Sequence, residues 1–315
     1  MEINNGRTMP TAADLLRPAP SKVRTWLQLL RAPNLFTVPG DPLTGYLVSN
    51  AGFFDYTIFL TATASICFYA AGLLMNDVVD LAEDAAERPH RPLPAGQASK
   101  EGVKRALWAL NAGGLLLLSA TGSNAALLTG ACTVAAVWSY NFLTKKTPVV
   151  GALNMGLCRA LSVMIGAMTG PAAYAKPIAA ILALMMGLFI AAVTNLARFE
   201  TLPKPPLIAR LLPVLPLIAG SLFGMVNCLF SPDKAPGAAA FGLAGLGGVW
   251  LLFRMLADRQ APLPPLIGAH IRLLLPLQAG ACWLGASQSI GPACGVVLLA
   301  CWPLSKAVSK RFYAS

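Results

Sequence analysis

Ten mainly apolar stretches follow one another along this chain, with only short polar connections between them. They fall near 26–50, 57–76, 103–121, 124–143, 149–171, 177–197, 207–230, 236–256, 266–288 and 291–307. A helix needs about 20 such residues to cross a bilayer. In lipid every backbone N–H and C=O must be satisfied inside the protein, which leaves helices or closed barrels. Stretches of this length point to helices, so the fold class is all-α: a polytopic membrane bundle of nine or ten transmembrane helices. The last two stretches are the weakest, because little more than Ser289, Ile290 and Gly291 separates them. The first is interrupted by Pro33, Pro39 and Gly40. Such breaks are tolerated in a membrane where they face a cavity or protein interior.

Composition agrees. Apolar residues make up 56% of the 315 and charged residues 12%, with mean hydropathy +0.62. An ordinary soluble domain carries about 25% charged residues. The net charge of +11 therefore reads as cationic loops against lipid headgroups. With no soluble basic face to carry it, nucleic-acid binding is not expected. Alternate connections divide the charge sharply. Of the 24 Lys and Arg residues, only Lys176 and Lys234 fall on the poor side, and Arg159 lies within a span. The rich side is expected to be cytoplasmic. Its basic C-terminus favours an even helix number. Residues 1–25 are polar, contain Pro10, Pro18 and Pro20, and read as a cytoplasmic tail. One helical domain over 26–307 and a short tail over 308–315 complete the division. The seven cysteines sit in apolar stretches without a CxxC pair, as buried small hydrophobes do.

Acidic residues number only 13, yet five lie within eleven positions: Asp77, Asp80, Glu83, Asp84 and Glu87. They follow directly from the second apolar stretch. If that helix continues, a turn of 100° per residue gathers Asn76, Asp77, Asp80, Asp84 and Glu87 into a wedge of roughly 100°. Like charges so placed repel, and more so at a membrane boundary. No Lys or Arg occurs between Asn50 and Arg88 to relieve them. Mg²⁺ is the better partner, since it takes hard oxygen ligands and shares its shell with phosphate and water. Next comes Arg88-Pro89-His90-Arg91-Pro92-Leu93-Pro94-Ala95-Gly96. Pro89 should end the helix, leaving Arg88 and Arg91 to face the carboxylates or a phosphate. Metal-binding carboxylates beside guanidinium groups suit a diphosphate. The plainer reading is a solvated acidic loop balanced by basic neighbours.

The pattern NDxxDxxxD over Asn76 to Asp84, followed by RPxRPLPxG, resembles the UbiA superfamily of intramembrane prenyltransferases. The resemblance covers most of the chain. It implies a helical bundle with a central cavity opening laterally to lipid. It implies further that Asn76, Asp77, Asp80 and Asp84 hold Mg²⁺ and a prenyl diphosphate. Tyr140-Asn141-Phe142-Leu143-Thr144-Lys145 is similar to a family segment whose Lys helps bind diphosphate. Positive-inside topology alone would also explain Lys145 and Lys146.

The family has a second aspartate motif at the end of the sixth span. Here Thr194-Asn195-Leu196-Ala197-Arg198-Phe199-Glu200-Thr201 stands there instead. Asn195 occupies the place of an expected Asp, Glu200 is the only carboxylate, and Arg198 adds a positive charge. This departure, with the opening Arg31-Ala32-Pro33-Asn34-Leu35-Phe36-Thr37-Val38-Pro39-Gly40-Asp41-Pro42, resembles the EboC-like branch of the superfamily.

The resemblance and the carboxylate face together imply Mg²⁺-dependent transfer of a prenyl group to a small acceptor. Asp77, Asp80 and Asp84 would carry the metal, and Arg198 and Glu200 would complete the site. Asn34, Asn76, Arg88, Arg91, Lys145 and Asn195 would hold substrate. Two alternatives remain open at this level. One is a non-catalytic carrier of a lipid-like metabolite on the same fold, motivated by the altered second motif. The other is a secondary transporter using the broken first span. Asp41 and Arg159 carry charge inside spans, and each should face the bundle interior. One expectation is that they pair with each other or with Arg198 and Glu200; otherwise Asp41 lies at an aqueous mouth.

Overall fold

The computed structural model describes residues 21–50, 55–170, 176–200, 202, 205–258, 261–285, 290–310 and 312. All ten apolar stretches are helical over most of their described length, and no strand occurs among the described residues. The N-terminal tail lies outside the described residues up to position 20, as does half of the C-terminal one.

The first stretch is three short helices: α1 (Lys22–Leu29), α2 (Ala32–Leu35) and α3 (Gly40–Ser49). Pro33 and Pro39 set the breaks, since neither supplies a backbone N–H. Helix α4 (Thr57–Val79) runs to Asp80, and α5 (Leu81–Glu87) follows at once. Glu87 is the last residue before the Arg88 cap and Pro89, as the sequence leads one to expect. The third and fourth stretches are α6 (Lys100–Ser119) and α7 (Asn124–Ser139). Ser99 and Ser123 cap them, accepting from Gly102 N at 3.1 Å and Ala126 N at 3.2 Å. A π-helical turn over Tyr140–Thr144 ends α7. Then come α8 (Val150–Ala167), α9 (Lys176–Ala197), the pair α10 (Leu207–Leu211) and α11 (Val214–Leu229), and α12 (Ala235–Ala257). The ninth stretch divides into α13 (Leu263–Arg272) and α14 (Leu274–Gly285), and the tenth is α15 (Ile290–Ser309).

Seven of these regions are long and apolar enough to cross a membrane by length and composition. The remaining three stretches have identifiable reasons for falling short. The first and ninth are broken, and α6 opens with Lys100, Glu101, Lys104 and Arg105. The last helix, a weak expectation from sequence, is a continuous span of 20 residues. Its neighbour α14 is buried from Leu274 to Leu284, which explains why that segment is apolar on every side.

Helix α3 is the centre of the bundle. Nine of its ten residues are buried, and it touches α4, α8, α9, α14 and α15. Its approach to α8 depends on two glycines. A Cβ on Gly45 would lie 1.9 Å from the Val163 carbonyl oxygen, and one on Gly166 would lie 1.9 Å from that of Pro42. Small residues of this kind let helix backbones close up in a membrane, where lipid is as apolar as Leu.

At the top of α3, Asp41 is fully buried and pairs with Arg159 of α8 at 2.8 Å. Gln278 of α14 donates to Asp41 Oδ1 at 2.7 Å and to the Thr37 carbonyl at 2.8 Å. Arg159 donates to that same carbonyl at 2.8 Å. The expected pairing of Asp41 with Arg159 is therefore present, and Asp41 is not at an aqueous mouth. Removing one member of a buried pair leaves an uncompensated charge and costs about 3–5 kcal/mol. Asp41→Asn and Arg159→Met should each lower stability on that scale. The double variant should lose at least about 1 kcal/mol less than the sum. Unfolding of the four proteins in detergent measures the coupling, and strict additivity would refute it.

Candidate functional site: a polar-ended cavity

A cavity of about 510 Å³ lies between α2–α3, α4–α5, α7 with its π turn, α8, α9, α13 and the end of α15. One end is strongly polar. Asn76 donates to Asp80 Oδ2 at 3.0 Å, and Lys145 Nζ donates to Asn76 Oδ1 at 3.0 Å and contacts Asp80 Oδ2. Asn76, Asp80 and Glu83 all face the cavity.

The carboxylate face read from a straight helix divides at Asp80. Its φ of −85° and ψ of 1° depart from helical values, so α5 turns out of phase with α4. Two backbone bonds bridge the joint, Asp80 N to Asn76 O at 2.9 Å and Asp84 N to Asp80 O at 2.8 Å. As a result Glu83 faces the cavity and Asp84 does not, while Glu87 is exposed; Asp77, on α4 before the joint, does not line it either. Asp84 is buried under the following loop. Arg91 Nη1 donates to both its oxygens, at 2.8 and 3.0 Å, and Arg88 stands 4.0 Å away. Arg88 also reaches Glu200 at 3.6 Å. Both arginines face the cavity. The loop is a compact series of turns, closed by Ala95 N to Arg91 O at 2.9 Å and Gln97 N to Pro92 O at 2.9 Å. Gly96, with φ of 70°, supplies the left-handed residue.

The π turn explains how Tyr140 and Lys145 share the site. Five residues apart on an α-helix, their side chains would point about 140° apart. The π turn closes Lys145 N onto Tyr140 O at 2.9 Å, an i→i+5 bond that widens the turn and brings both to the cavity. Asn141, 5% exposed, lines it too. Its amide donates to Val137 O at 2.9 Å, while its Oδ1 has no partner.

At the end of α9, the cavity is lined by Thr194, Ala197 and Glu200. Neither Asn195 nor Arg198 lines it, and Arg198 is exposed. Of the residues expected from sequence, Asn34, Asn76, Asp80, Arg88, Arg91, Lys145 and Glu200 are thus brought together at the cavity. Asp77, Asp84, Asn195 and Arg198 stand behind or beside it.

Several lining residues escaped the sequence reading. Arg31 faces the cavity with φ of 44°, a conformation that costs a non-glycine residue about 1–3 kcal/mol and clusters at functional sites. Tyr69 and Ser65 line it as well. Both fall on the Asn76–Asp80 face at helical spacing, so the period alone contains that signal. Arg272 comes from the ninth stretch, and no spacing relates it to the others. Around the cavity, six cations (Arg31, Arg88, Arg91, Lys145, Arg159, Arg272) face four carboxylates (Asp41, Asp80, Glu83, Glu200), a surplus of two positive charges. That surplus suits an anion.

The fit to Mg²⁺ follows from the donors. Among the described residues, no three His, Cys, Asp or Glu side chains converge to hold a metal by themselves. Mg²⁺ is commonly bound by one or two carboxylates plus substrate phosphates. Asp80 and Glu83, with the Asn76 carbonyl oxygen, offer that kind of partial shell.

A family model for UbiA prenyltransferases matches residues 42–202, just over half of the chain. The chain belongs to the UbiA prenyltransferase family. This UbiA-family chain is 29% identical over 147 residues to the digeranylgeranylglyceryl phosphate synthase of Sulfolobus acidocaldarius. That match covers 46% of this chain and 52%, about half, of the relative. It is 28% identical over 263 residues to the synthase of that name from Methanoculleus marisnigri, covering 78% and 86%. Among solved structures, the apo UbiA homolog from Aeropyrum pernix K1 superposes with a TM-score of 0.63 at 18% identity. It covers 78% of this chain and 96% of its own, a likeness of fold. The protein is accordingly an integral, multi-pass membrane protein. In this UbiA-family site the Asp84–Arg91 contact ties the loop after α5 to the helix. Asp84→Asn should loosen it, raising amide hydrogen exchange several-fold over residues 88–97 while the spans stay protected. Unchanged exchange would show that the pair does not hold the loop.

Proposed function

We propose that this protein transfers a prenyl group from a prenyl diphosphate to a small acceptor within the membrane, in a Mg²⁺-dependent reaction, with its polar end toward the cytoplasm. The observation carrying this reading is the cavity itself, in which the Asn76–Asp80–Lys145 cluster caps a shaft walled by Phe68, Leu73, Val137, Ile190 and Val193. A diphosphate with a hydrocarbon tail has that polarity. The concentration of Lys and Arg in the connections on that side of the bundle supports the orientation.

Lys145, Arg31 and Arg88 bind the diphosphate oxygens, and Asn76 with Asn34 orients them. Asp80, with Glu83 beside it, would hold Mg²⁺, whose chemistry there would be neutralising charge on the diphosphate. Asp77 supports that site from one turn behind. Asp84 acts through Arg91, which it aims into the cavity, and Glu200 does the same for Arg88. Asn195 and Arg198 shape the α9 terminus from outside. As the allylic carbon–oxygen bond breaks, the fixed cations stabilise charge on the leaving group. The apolar walls keep water from the allylic cation until the acceptor attacks. An acceptor has room along the wall formed by Pro264, Ile267, Gly268 and Ile271.

One observation favours a second reading, a metal-independent carrier of a lipid-like anion. Asp80 and Asp84 are already paired with Lys145 and Arg91. Diphosphate release by purified protein in lipid, with geranyl or farnesyl diphosphate, separates the two. The enzyme should release diphosphate with Mg²⁺ and lose most activity on chelation. Asp80→Ala and Lys145→Met should each slow release by about a hundredfold, the scale of one lost charge-stabilising group. Binding without release, indifferent to chelation and to Asp80→Ala, would establish the carrier.

A further inference from the structure

Lys145 reaches Asn76 and Asp80 from the far end of the π turn over Tyr140–Thr144. Nothing in the local sequence asks for that turn. No Gly or Pro occurs between Gly130 and Pro148, and α-helix is the default winding, π turns being rare. Rewound as an α-helix, the segment would point Lys145 about 140° away from Tyr140. The turn is therefore imposed by its neighbours.

The neighbour that holds it is Asn154, in the first turns of α8. Ser139 precedes the π turn and Thr144 ends it, and their hydroxyl oxygens stand 3.3 and 2.9 Å from the Asn154 amide. The backbone fixes which way that amide faces. With Nδ2 donating to the Ala136 carbonyl at 3.2 Å, Oδ1 accepts from Tyr140 N at 3.1 Å and from both hydroxyls. The reverse would set acceptor against acceptor and donor against donor. The Tyr140 N–H is also divided between the Ala136 and Val137 carbonyls, a sharing common at helix ends. Asn154 thus serves the backbone where α gives way to π and the side chains at both ends of the turn.

Two further features press α8 onto the turn. Gly151 lies three residues before Asn154 and so on the same face. A Cβ there would sit 2.6 Å from the Thr144 carbonyl oxygen. The return from Lys145 to α8 is so short that Val149 takes a φ of 65°, with Val150 N donating to Pro148 O at 2.6 Å. A β-branched residue is a genuine outlier there, and such strain persists only where the surroundings over-determine it. Asn154 itself does not line the cavity, so its part in the site runs through the turn.

From this we propose that Asn154 is a positioning residue: it clamps the π turn from α8 and thereby sets the place of Lys145 beside Asn76 and Asp80. The inference rests on the prenyl-diphosphate reading for what Lys145 binds, and adds what holds Lys145 there.

The test uses the full chain in lipid nanodiscs with Mg²⁺. Two quantities are read: amide hydrogen exchange, and affinity for geranyl diphosphate from ligand-induced thermal stabilisation. Asn154→Leu should raise exchange several-fold over residues 140–147 while α4 and α9 stay protected. It should also weaken geranyl diphosphate about tenfold, since a displacement of about 1 Å can cost up to about a hundredfold. Thr144→Val removes one of the hydroxyl partners and should move both readings the same way; it serves if the first variant does not fold. In a Lys145→Met background, Asn154→Leu should weaken binding less than about twofold further, because both changes act on one contact. Losses that multiply in the double variant, or exchange unchanged over 140–147 in a folded variant, would overturn the clamp. Raised exchange, with Lys145→Met binding geranyl diphosphate as tightly as the native chain, would instead sink the diphosphate reading of Lys145 and leave the clamp standing.

Discussion

The buried pair of Asp41 and Arg159 organises this bundle. Neither charge tolerates lipid alone, so the helices carrying them must meet, and Gln278 brings a third helix to the same point. The first span can therefore be broken without being loose. In the broken segment Asp41 N donates to Val38 O rather than to the Thr37 carbonyl, and Arg159 and Gln278 donate to that carbonyl instead. The break frees a backbone acceptor, the acceptor draws in polar side chains, and one of them, Arg159, lines the cavity.

The cavity holds opposing charges at short range. Cations outnumber carboxylates among its lining residues, but most are already engaged: Lys145 with Asp80, Arg91 with Asp84, Arg88 with Glu200. Such pairs keep the site neutral enough to fold, and they hold the donors in place for an incoming anion. Arg31 differs. It reaches the cavity from a left-handed backbone position and has no carboxylate within 4 Å among the described residues. The first span thus contributes to the site a positive charge that no carboxylate within 4 Å holds among the described residues.

Much of this was legible in the amino-acid order. The places of the helical stretches follow from apolar length. The NDxxDxxxD run and the basic loop behind it mark one end of the site, because carboxylates at a membrane boundary need a partner. The end of α5 before Pro89 and the discontinuity of the first span could also be read directly, since proline acts locally. The Asp41–Arg159 pair was legible as one of a few options, because opposite charges inside apolar spans have few ways to be satisfied; the packing chose among them.

The tertiary structure alone decided which carboxylate faces the cavity. A straight helix groups Asp77, Asp80, Asp84 and Glu87, yet a small change in backbone angle at Asp80 rotates α5 and exchanges Asp84 for Glu83. The register of Tyr140 and Lys145 depends likewise on a π turn, which differs from an α turn by one hydrogen bond. The turning away of Asn195 and Arg198, and the arrival of Arg31 and Arg272, depend on how distant helices pack. Hydrophobic length and local breakers act over a few residues, so the sequence by itself determines membrane spans and their interruptions. Helix phase and the depth of a cavity arise from contacts between segments far apart in the chain, so only the packed structure determines them.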